Sequence, residues 1–461
     1  MFHVKHAPHV LLVNPWITDF GAYNFWVRPL GLLYIAGLLR RYGFEVTFID
    51  CLDFLVKRKE YRDGKFYKLK IEKPKPLHSI RKNYSQYGIP EEIFREKLSS
   101  IGKPDAIGIT SGMTYWYPGV FRAIMILREF FRETPILLGG IYSSLCHEHA
   151  KKYSGADYVL DRIDEVEALK LFAKVTGTLI PIQQSLPLKK RRKVPNIDQE
   201  LQSENLPYPC FDLYPQLDYT CIMTSRGCPF RCSYCASPWL SKRFLRRDPF
   251  RVVDEIEYWS THYKVHNIAF YDDALLIDAY EFFIPMVKEI IRRGIQCNFH
   301  TPNGLHIREI DQEVADLLFR GNFKTIRLGL ETSNKEAQLE TGGKVENQQF
   351  QQAVKHLRRS GYSNHEIGVY IMAGLPGQRV EEVEESIEFV RESGAKPYLV
   401  EYSPIPQTPM FEKAKKFSSF DLENEPLFHN NSLLPCQWEG FTMADYRNLK
   451  LKLKEIYNAT I

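Results

Sequence analysis

Three thiols stand close together in Thr224-Ser-Arg-Gly-Cys-Pro-Phe-Arg-Cys-Ser-Tyr-Cys-Ala-Ser237. They are Cys228, Cys232 and Cys235, in the spacing C-x3-C-x2-C. Soft thiolates at such short range select zinc or an iron–sulfur cluster. A structural zinc site takes four protein ligands, and this stretch offers no fourth Cys or His. Three thiolates suit a cubane 4Fe-4S cluster that leaves one iron open to a substrate or cofactor. The alternative is a zinc loop, or three reduced thiols with no metal.

The stretch resembles the signature of the radical S-adenosylmethionine (radical SAM) superfamily. The resemblance implies that Cys228, Cys232 and Cys235 hold three irons, while the fourth chelates the amino and carboxylate groups of SAM. It implies one-electron cleavage of SAM to methionine and a 5′-deoxyadenosyl radical. Tyr234, just before the third Cys, stands where the family places an aromatic residue near the adenine.

These residues need a scaffold, and 461 residues allow two or three domains. Hydrophobic content of 44% and charged content of 25% are those of an ordinary globular protein. The net charge of +5 does not by itself point to nucleic acid. Nine Cys, an odd number without a paired framework, fit a reducing cytoplasm. The start, Met1 to His9, has no apolar core of a signal peptide. The longest apolar run, Leu30 to Leu39, is about half the ~20 residues that span a bilayer, so it reads as a buried helix and no membrane span is expected.

From the beginning, short apolar strands alternate with amphipathic helices: Val10 to Val13, a helix opened by Pro29 and closed by Gly43, Val46 to Ile49, Asp105 to Thr110, a helix with Val120, Ile124, Leu127 and Phe131 on one face, Pro135 to Gly140, and Ala156 to Leu160. An acidic helix follows near Glu165. That alternation predicts an α/β doubly wound parallel sheet of the flavodoxin type over residues 1–175. Ligands of such sheets bind beyond the carboxyl ends of the strands, at the switch point. Asn14, Ser111, Gly139 and Gly140 stand at those ends.

With Asn14-Pro15, the Pro29-Leu-Gly-Leu helix start, Gly108-Ile-Thr-Ser111 and Gly139-Gly140, this order resembles the cobalamin-binding domain that precedes the barrel in one large radical SAM subfamily. The resemblance implies cobalamin at Asn14, Ser111, Gly139 and Gly140. Two departures stand out: Ile141-Tyr142 replace the small residue and His that follow the paired Gly, and Asp161-Arg-Ile-Asp-Glu165 replaces Gly-Glu-Gly-Glu. No Asp-x-His-x-x-Gly offers a His to cobalt.

Two stretches interrupt the pattern. Residues 57–82 carry eleven Lys or Arg against three acids, with Tyr61, Phe66 and Tyr67 interleaved. The mild net charge favours a solvated loop over a nucleic-acid or phosphate surface. Residues 176–217 read as a linker, with the charge run Lys189 to Lys193. Cys210 and Cys221 read as buried free thiols.

Residues 218–410 repeat strand–loop–helix six times, which predicts a partial (β/α)6 barrel. The expected strands are Tyr219–Thr224, Asn267–Tyr271, Gln296–His300, Lys324–Leu330, Glu366–Met372 and Tyr398–Ser403, with helices such as Asp278–Arg293 and Glu381–Glu392. Chemistry in barrels gathers at the carboxyl ends of strands, and the cysteine loop follows the first. Family resemblance implies SAM contacts at the other ends: Asp272 and Asp273 for the amino group, Glu331 and Ser333 for the ribose or methionyl part, and Gly374 for close approach to adenine. His300 lies at a strand end without an assigned role, whereas His262 and His306 read as structural or surface residues. Residues 411–461 form a short helical extension, with Thr442 as cap and Tyr446, Leu449, Leu453 and Ile456 on one face. Cys436 and Trp438 are placed to cover the open side of the site.

The resemblance implies a radical SAM enzyme with a 4Fe-4S cluster, SAM and cobalamin, transferring methyl to an unactivated carbon. It also implies a small-molecule substrate and a low-potential electron donor such as flavodoxin or ferredoxin. Two alternatives stand beside it: a ring-closure or rearrangement enzyme whose first domain no longer binds cobalamin, and a non-catalytic electron-transfer protein that keeps a cluster.

Overall fold

The computed structural model describes residues 7–53, 65–162, 164–180 and 207–458. Two compact units result. The first holds the described residues up to Leu217 together with Asn424–Leu427; the second holds Asp218–Glu423 and the residues from Phe428 on.

The first unit is built on a five-stranded parallel sheet: β1 (His9–Asn14), β2 (Glu45–Asp50), β3 (Ala106–Ile109), β4 (Ile136–Leu138) and β5 (Tyr158–Val159). Its spatial order is β2-β1-β3-β4-β5, the flavodoxin-like order with its switch point between β1 and β3. β1 is central, pairing Val10 with Val46 on one side and with Ala106 on the other. A strand covered on both faces must be apolar throughout, and Val10 to Val13 are fully buried. Helix Leu30–Arg41 covers one face; Pro29 is its N-cap residue rather than its first helical one. Gly43 follows with φ +83°, a conformation that glycine adopts without a Cβ penalty. Part of the basic stretch supplies an edge strand, Lys68–Lys70, paired to Ser85–Tyr87, which pairs in turn with Ile17–Asp19. Residues 57–64 of that stretch, and the charge run 189–193, lie outside the described residues.

The second unit is a six-stranded parallel sheet in chain order: β6 (Thr220–Ile222), β7 (Asn267–Phe270), β8 (Asn298–His300), β9 (Phe323–Glu331), β10 (Ile367–Ala373) and β11 (Lys396–Glu401). Every neighbouring pair is parallel, and β6 and β11 remain edges, so the barrel is partial. The helices between strands carry their own stops and starts. Asp248 accepts from the Phe250 and Arg251 amides at the head of Pro249–His262, and Asp311 caps Gln312–Arg320. The helix expected from Asp278 begins at Phe283 instead. Asp278 has φ +53°, and a left-handed residue cannot continue a right-handed helix. Strand β6 stops at Ile222, two residues before expectation, because Thr224 turns away to a side-chain partner. The final helix, Met443–Asn458, is opened by Thr442 and Asp445, which bond reciprocally. Among the described residues no helix is long and apolar enough to cross a membrane.

Candidate active site

The cysteine loop leaves β6 through a buried carboxylate. Asp272, just past β7, accepts from the Thr224 amide at 3.0 and 3.1 Å, from Thr224 Oγ1 at 2.7 Å and from Ser225 Oγ at 2.6 Å. Burial pushes its pKa up, while these donors and the Arg246 guanidinium pull it down. Both oxygens are engaged, so Asp272 braces the start of the loop instead of facing a ligand. Asp273 accepts from Ser237 Oγ at 2.6 Å, through Oδ2. The pair that the sequence left equivalent is thus divided by the strand end.

A second brace lies beneath. The Arg247 amide donates to the Thr224 carbonyl at 2.9 Å, and Arg247 Nη1 to the Met223 carbonyl at 3.2 Å. The same Nη1 lies 2.7 Å from Glu255 Oε2, and both side chains are buried. Arg246 reaches the carbonyls of Ala274 and Leu275, beside Asp272.

On the loop the three thiols are partly open, whereas five of the other six cysteines are buried. All nine are free. Burial pushes the Cys228 thiol up to about 11, and Asp273 and the other two thiols act in the same direction. Burial likewise raises Cys232 and Cys235. Among the described residues no three His, Cys, Asp or Glu side chains converge on one ion. A cluster needs no such convergence, since each thiolate takes its own iron.

Two residues with no local signal complete the surroundings. His306 Nε2 lies 3.8 Å from Cys228 Sγ and 3.2 Å from the Asp273 carbonyl, its ring 4.5 Å from that of Phe230. It is placed at the loop, not on a remote surface. Lys344 Nζ pairs with Glu331 Oε1 at 2.7 Å and lies 5.9 Å from the Tyr234 ring. Burial above all, and then Glu331 and Cys232 beside it, push the Tyr234 pKa up. Two glycines make room. A Cβ on Gly329 would meet Glu331 Oε1 at 2.8 Å, and one on Gly342 would meet the Cys232 Cα at 3.0 Å. Glu331 has φ +62°. Such strain in a non-glycine residue persists only where its surroundings enforce it, and it clusters at functional sites.

Two expected contacts find other partners. The Ser333 amide and hydroxyl meet Ser386 Oγ at 2.9 and 3.1 Å, on helix Val380–Glu392. At Gly374, φ +85°, a Cβ would lie 2.5 Å from Leu434 Cδ1. The close approach that Gly374 permits is made here by a leucine of the C-terminal extension. Trp438 Nε1 donates to the Gln378 carbonyl at 2.8 Å, and Cys436 joins an apolar group with Leu375, Tyr402, Met410 and Phe411, against which Tyr234 packs. His300 is fully buried between Thr325 and Asn267 and is structural.

In the first unit, Asn14 Nδ2 donates to Asp50 Oδ1 at 2.7 Å. Ser111 Oγ donates to the Gly139 carbonyl at 2.6 Å and accepts from the Ser143 amide at 3.2 Å. Gly140, φ +100°, has no room for a Cβ, which would lie 2.3 Å from the Ser111 carbonyl oxygen. These residues tie the strand-end loops together. The loops on either side of the switch point carry exposed apolar side chains: Tyr23 and Phe25, stacked at 5.8 Å, after β1, and Met113 after β3. Trp116 Nε1 joins the two loops by a 2.8 Å bond to Asp19.

Residues 222–390 match the family model of the radical SAM superfamily. An uncharacterized methyltransferase of Pyrococcus horikoshii is 25% identical over 78% of this chain and 77% of its own. The cytidylyl-2-hydroxyethylphosphonate methyltransferase of Streptomyces wedmorensis is 21% identical over 98% of this chain and 90% of its own. The radical S-adenosylmethionine methyltransferase TsrM from Kitasatospora setae, solved with cobalamin and a 4Fe-4S cluster, shares the fold, with TM-score 0.65 and 17% identity over 89% of this chain and 75% of that one. The cysteine loop at the rim of a six-stranded parallel barrel and the family match over that barrel agree, and residues 222–390 form a radical SAM domain.

Proposed function

We propose that this chain is a cobalamin-dependent radical SAM methyltransferase acting on an unactivated carbon of a small molecule. The observation that carries the reading is the three-thiol loop at the carboxyl end of β6, braced by Asp272 and by the Arg247–Glu255 pair. Cys228, Cys232 and Cys235 would hold the cluster. The cluster supplies the electron that cleaves SAM, and cobalamin supplies a methyl carrier. This chain's residues hold and exclude. Asp273 offers a carboxylate to the SAM ammonium, while Glu331 and Lys344 form a charged pair beside Tyr234. The extension carrying Leu434 and Trp438 covers part of the rim.

Support for cobalamin is of a different kind. The switch point between β1 and β3 is flanked by exposed Tyr23, Phe25 and Met113, a surface that suits a broad, flat ligand. Asn14, Ser111, Gly139 and Gly140 keep the strand-end loops in place around it. The two methyltransferase relatives, which cover 78% and 98% of the chain, favour methylation, while anaerobic magnesium-protoporphyrin IX monomethyl ester cyclases, also similar to it, keep ring closure as the second reading. Nine free cysteines accord with work in a reducing cytoplasm.

Metal and corrin content test the reading. Anaerobically reconstituted protein, incubated with hydroxocobalamin and desalted, is expected to hold about four irons per chain and to retain cobalt. Iron without cobalt overturns cobalamin dependence and leaves ring closure or rearrangement. Failure to cleave SAM sinks the enzyme reading altogether.

The two aspartates separate by their partners. Asp273→Asn is expected to weaken SAM binding about tenfold, the worth of one charge-assisted contact, with iron retained. Asp272→Asn is expected to lower iron loading, because its amide cannot accept all the bonds from Thr224 and Ser225. Calorimetric SAM titration and iron analysis decide. Equal behaviour of the two variants refutes the division.

A further inference from the structure

The three thiols of the loop do not share one environment. Cys235 Sγ accepts from the Ser237 amide at 3.4 Å, a bond within the same stretch of chain. Cys228 Sγ has a side chain from another element beside it, His306 Nε2 at 3.8 Å. The same Nε2 lies 3.2 Å from the Asp273 carbonyl oxygen. A carbonyl oxygen only accepts, and so does a thiolate sulfur bound to iron. Nε2, set between them, therefore carries the ring proton and shares it in a three-centre bond. The backbone holds the ring there from both sides. Leu305 donates its amide to the Arg327 carbonyl at 2.7 Å and bridges to Leu328 of β9, and Ile307 is buried. The imidazole packs on the Phe230 ring at 4.5 Å, and Phe230 stands between Cys228 and Cys232. Arg308 lies over that same ring at 4.9 Å.

We infer that His306 is a positioning residue that tunes the cluster: it donates the Nε2 hydrogen to the Cys228 sulfur and thereby raises the reduction potential. The inference rests on the reading of the loop as a cluster site. Reduction adds one negative charge, part of which spreads onto the thiolate sulfurs. A hydrogen bond to such a sulfur is worth more after the electron arrives than before, and bonds of this kind are among the factors that set cluster potentials. Donors that face an ionised acceptor make the stronger bonds. The proton stays on His306 throughout, so the bond changes in strength and no group is transferred. A ring kept only to pack on Phe230 needs no nitrogen. The placement of Nε2 between two acceptors is what a packing role leaves unexplained.

Two variants separate the bond from the packing. His306→Phe keeps a ring against Phe230 and removes the donor. His306→Gln brings an amide nitrogen close to the place of Nε2. The full chain, reconstituted anaerobically and free of SAM, is titrated with dithionite in the presence of redox mediators, and the EPR signal of the reduced cluster gives the midpoint. His306→Phe is expected to shift the one-electron equilibrium about tenfold toward the oxidised cluster, a midpoint lower by about 59 mV. His306→Gln should recover most of that shift. Iron content should equal the native value in both. A His306→Phe midpoint equal to the native one, or a His306→Gln midpoint no different from that of His306→Phe, overturns the inference. Should His306→Phe fail to load iron, pulsed EPR of the reduced native chain carrying nitrogen-labelled histidine decides instead. A labelled ring nitrogen coupled to the cluster spin is expected, and its absence overturns the bond. A native chain that holds no iron after reconstitution refutes the cluster reading itself, a separate result.

Discussion

Changing Cys228, Cys232 and Cys235 together to Ala is expected to abolish iron loading and the brown colour, with the far-ultraviolet circular dichroism preserved. The three thiols sit on a loop that is held from outside: Asp272 and Arg247 fix its start, Ser237 bonds Asp273 at its end, and Ser233 donates its amide to the Thr341 carbonyl at 3.2 Å. None of these braces uses a cysteine thiol, so removing three sulfur atoms leaves the loop's anchors in place. The thiols themselves are half-open and pack little. Cleavage of SAM should fall to background, because no step of the proposed chemistry survives without the cluster. Iron analysis after anaerobic reconstitution checks it, and stoichiometric iron in the triple variant would falsify the assignment.

The second large effect is on stability. Glu255 is fully buried and pairs with Arg247, itself almost wholly buried. Glu255→Ala leaves a guanidinium charge in the interior without its carboxylate, at a cost of about 3–5 kcal/mol. A melting temperature lower by roughly 10 °C follows, at ~2–4 °C per kcal/mol for a unit of this size. Replacing both partners by apolar residues, Glu255→Leu with Arg247→Met, should cost less than the single change, because no uncompensated charge remains. A single variant that melts with the native chain would show that the pair contributes nothing. Since the Arg247 side chain also holds the Met223 carbonyl, the double variant is expected to melt well yet load iron poorly.

Much of the architecture was legible in the sequence. Both parallel sheets follow from apolar runs such as Val10 to Val13 and Asn267 to Phe270, whose continuity means burial on two faces. Their strands fall within a few residues of expectation, and the departures are local. Asp278 stops a helix by its positive φ, and Thr224 ends β6 by turning to Asp272. The antiparallel ribbon that takes in Lys68–Lys70 was not foreseen. Its residues are charged and exposed, and an edge strand of that kind carries no burial pattern to read.

The site divides in the same way. The sequence by itself determined the thiol loop, because three cysteines within eight residues are near one another in any fold, and their chemistry follows from proximity. It also determined that the loop ends a strand, since the apolar run stops just before it. Which carboxylate braces and which faces outward was decided only by the tertiary structure, because adjacent residues at a strand end point to opposite sides. His306 at Cys228, Lys344 at Glu331 and Leu434 over Gly374 were decided there too. Each arrives from a separate element, 78 residues from Cys228 in the first case, and no local periodicity encodes the register that brings it in.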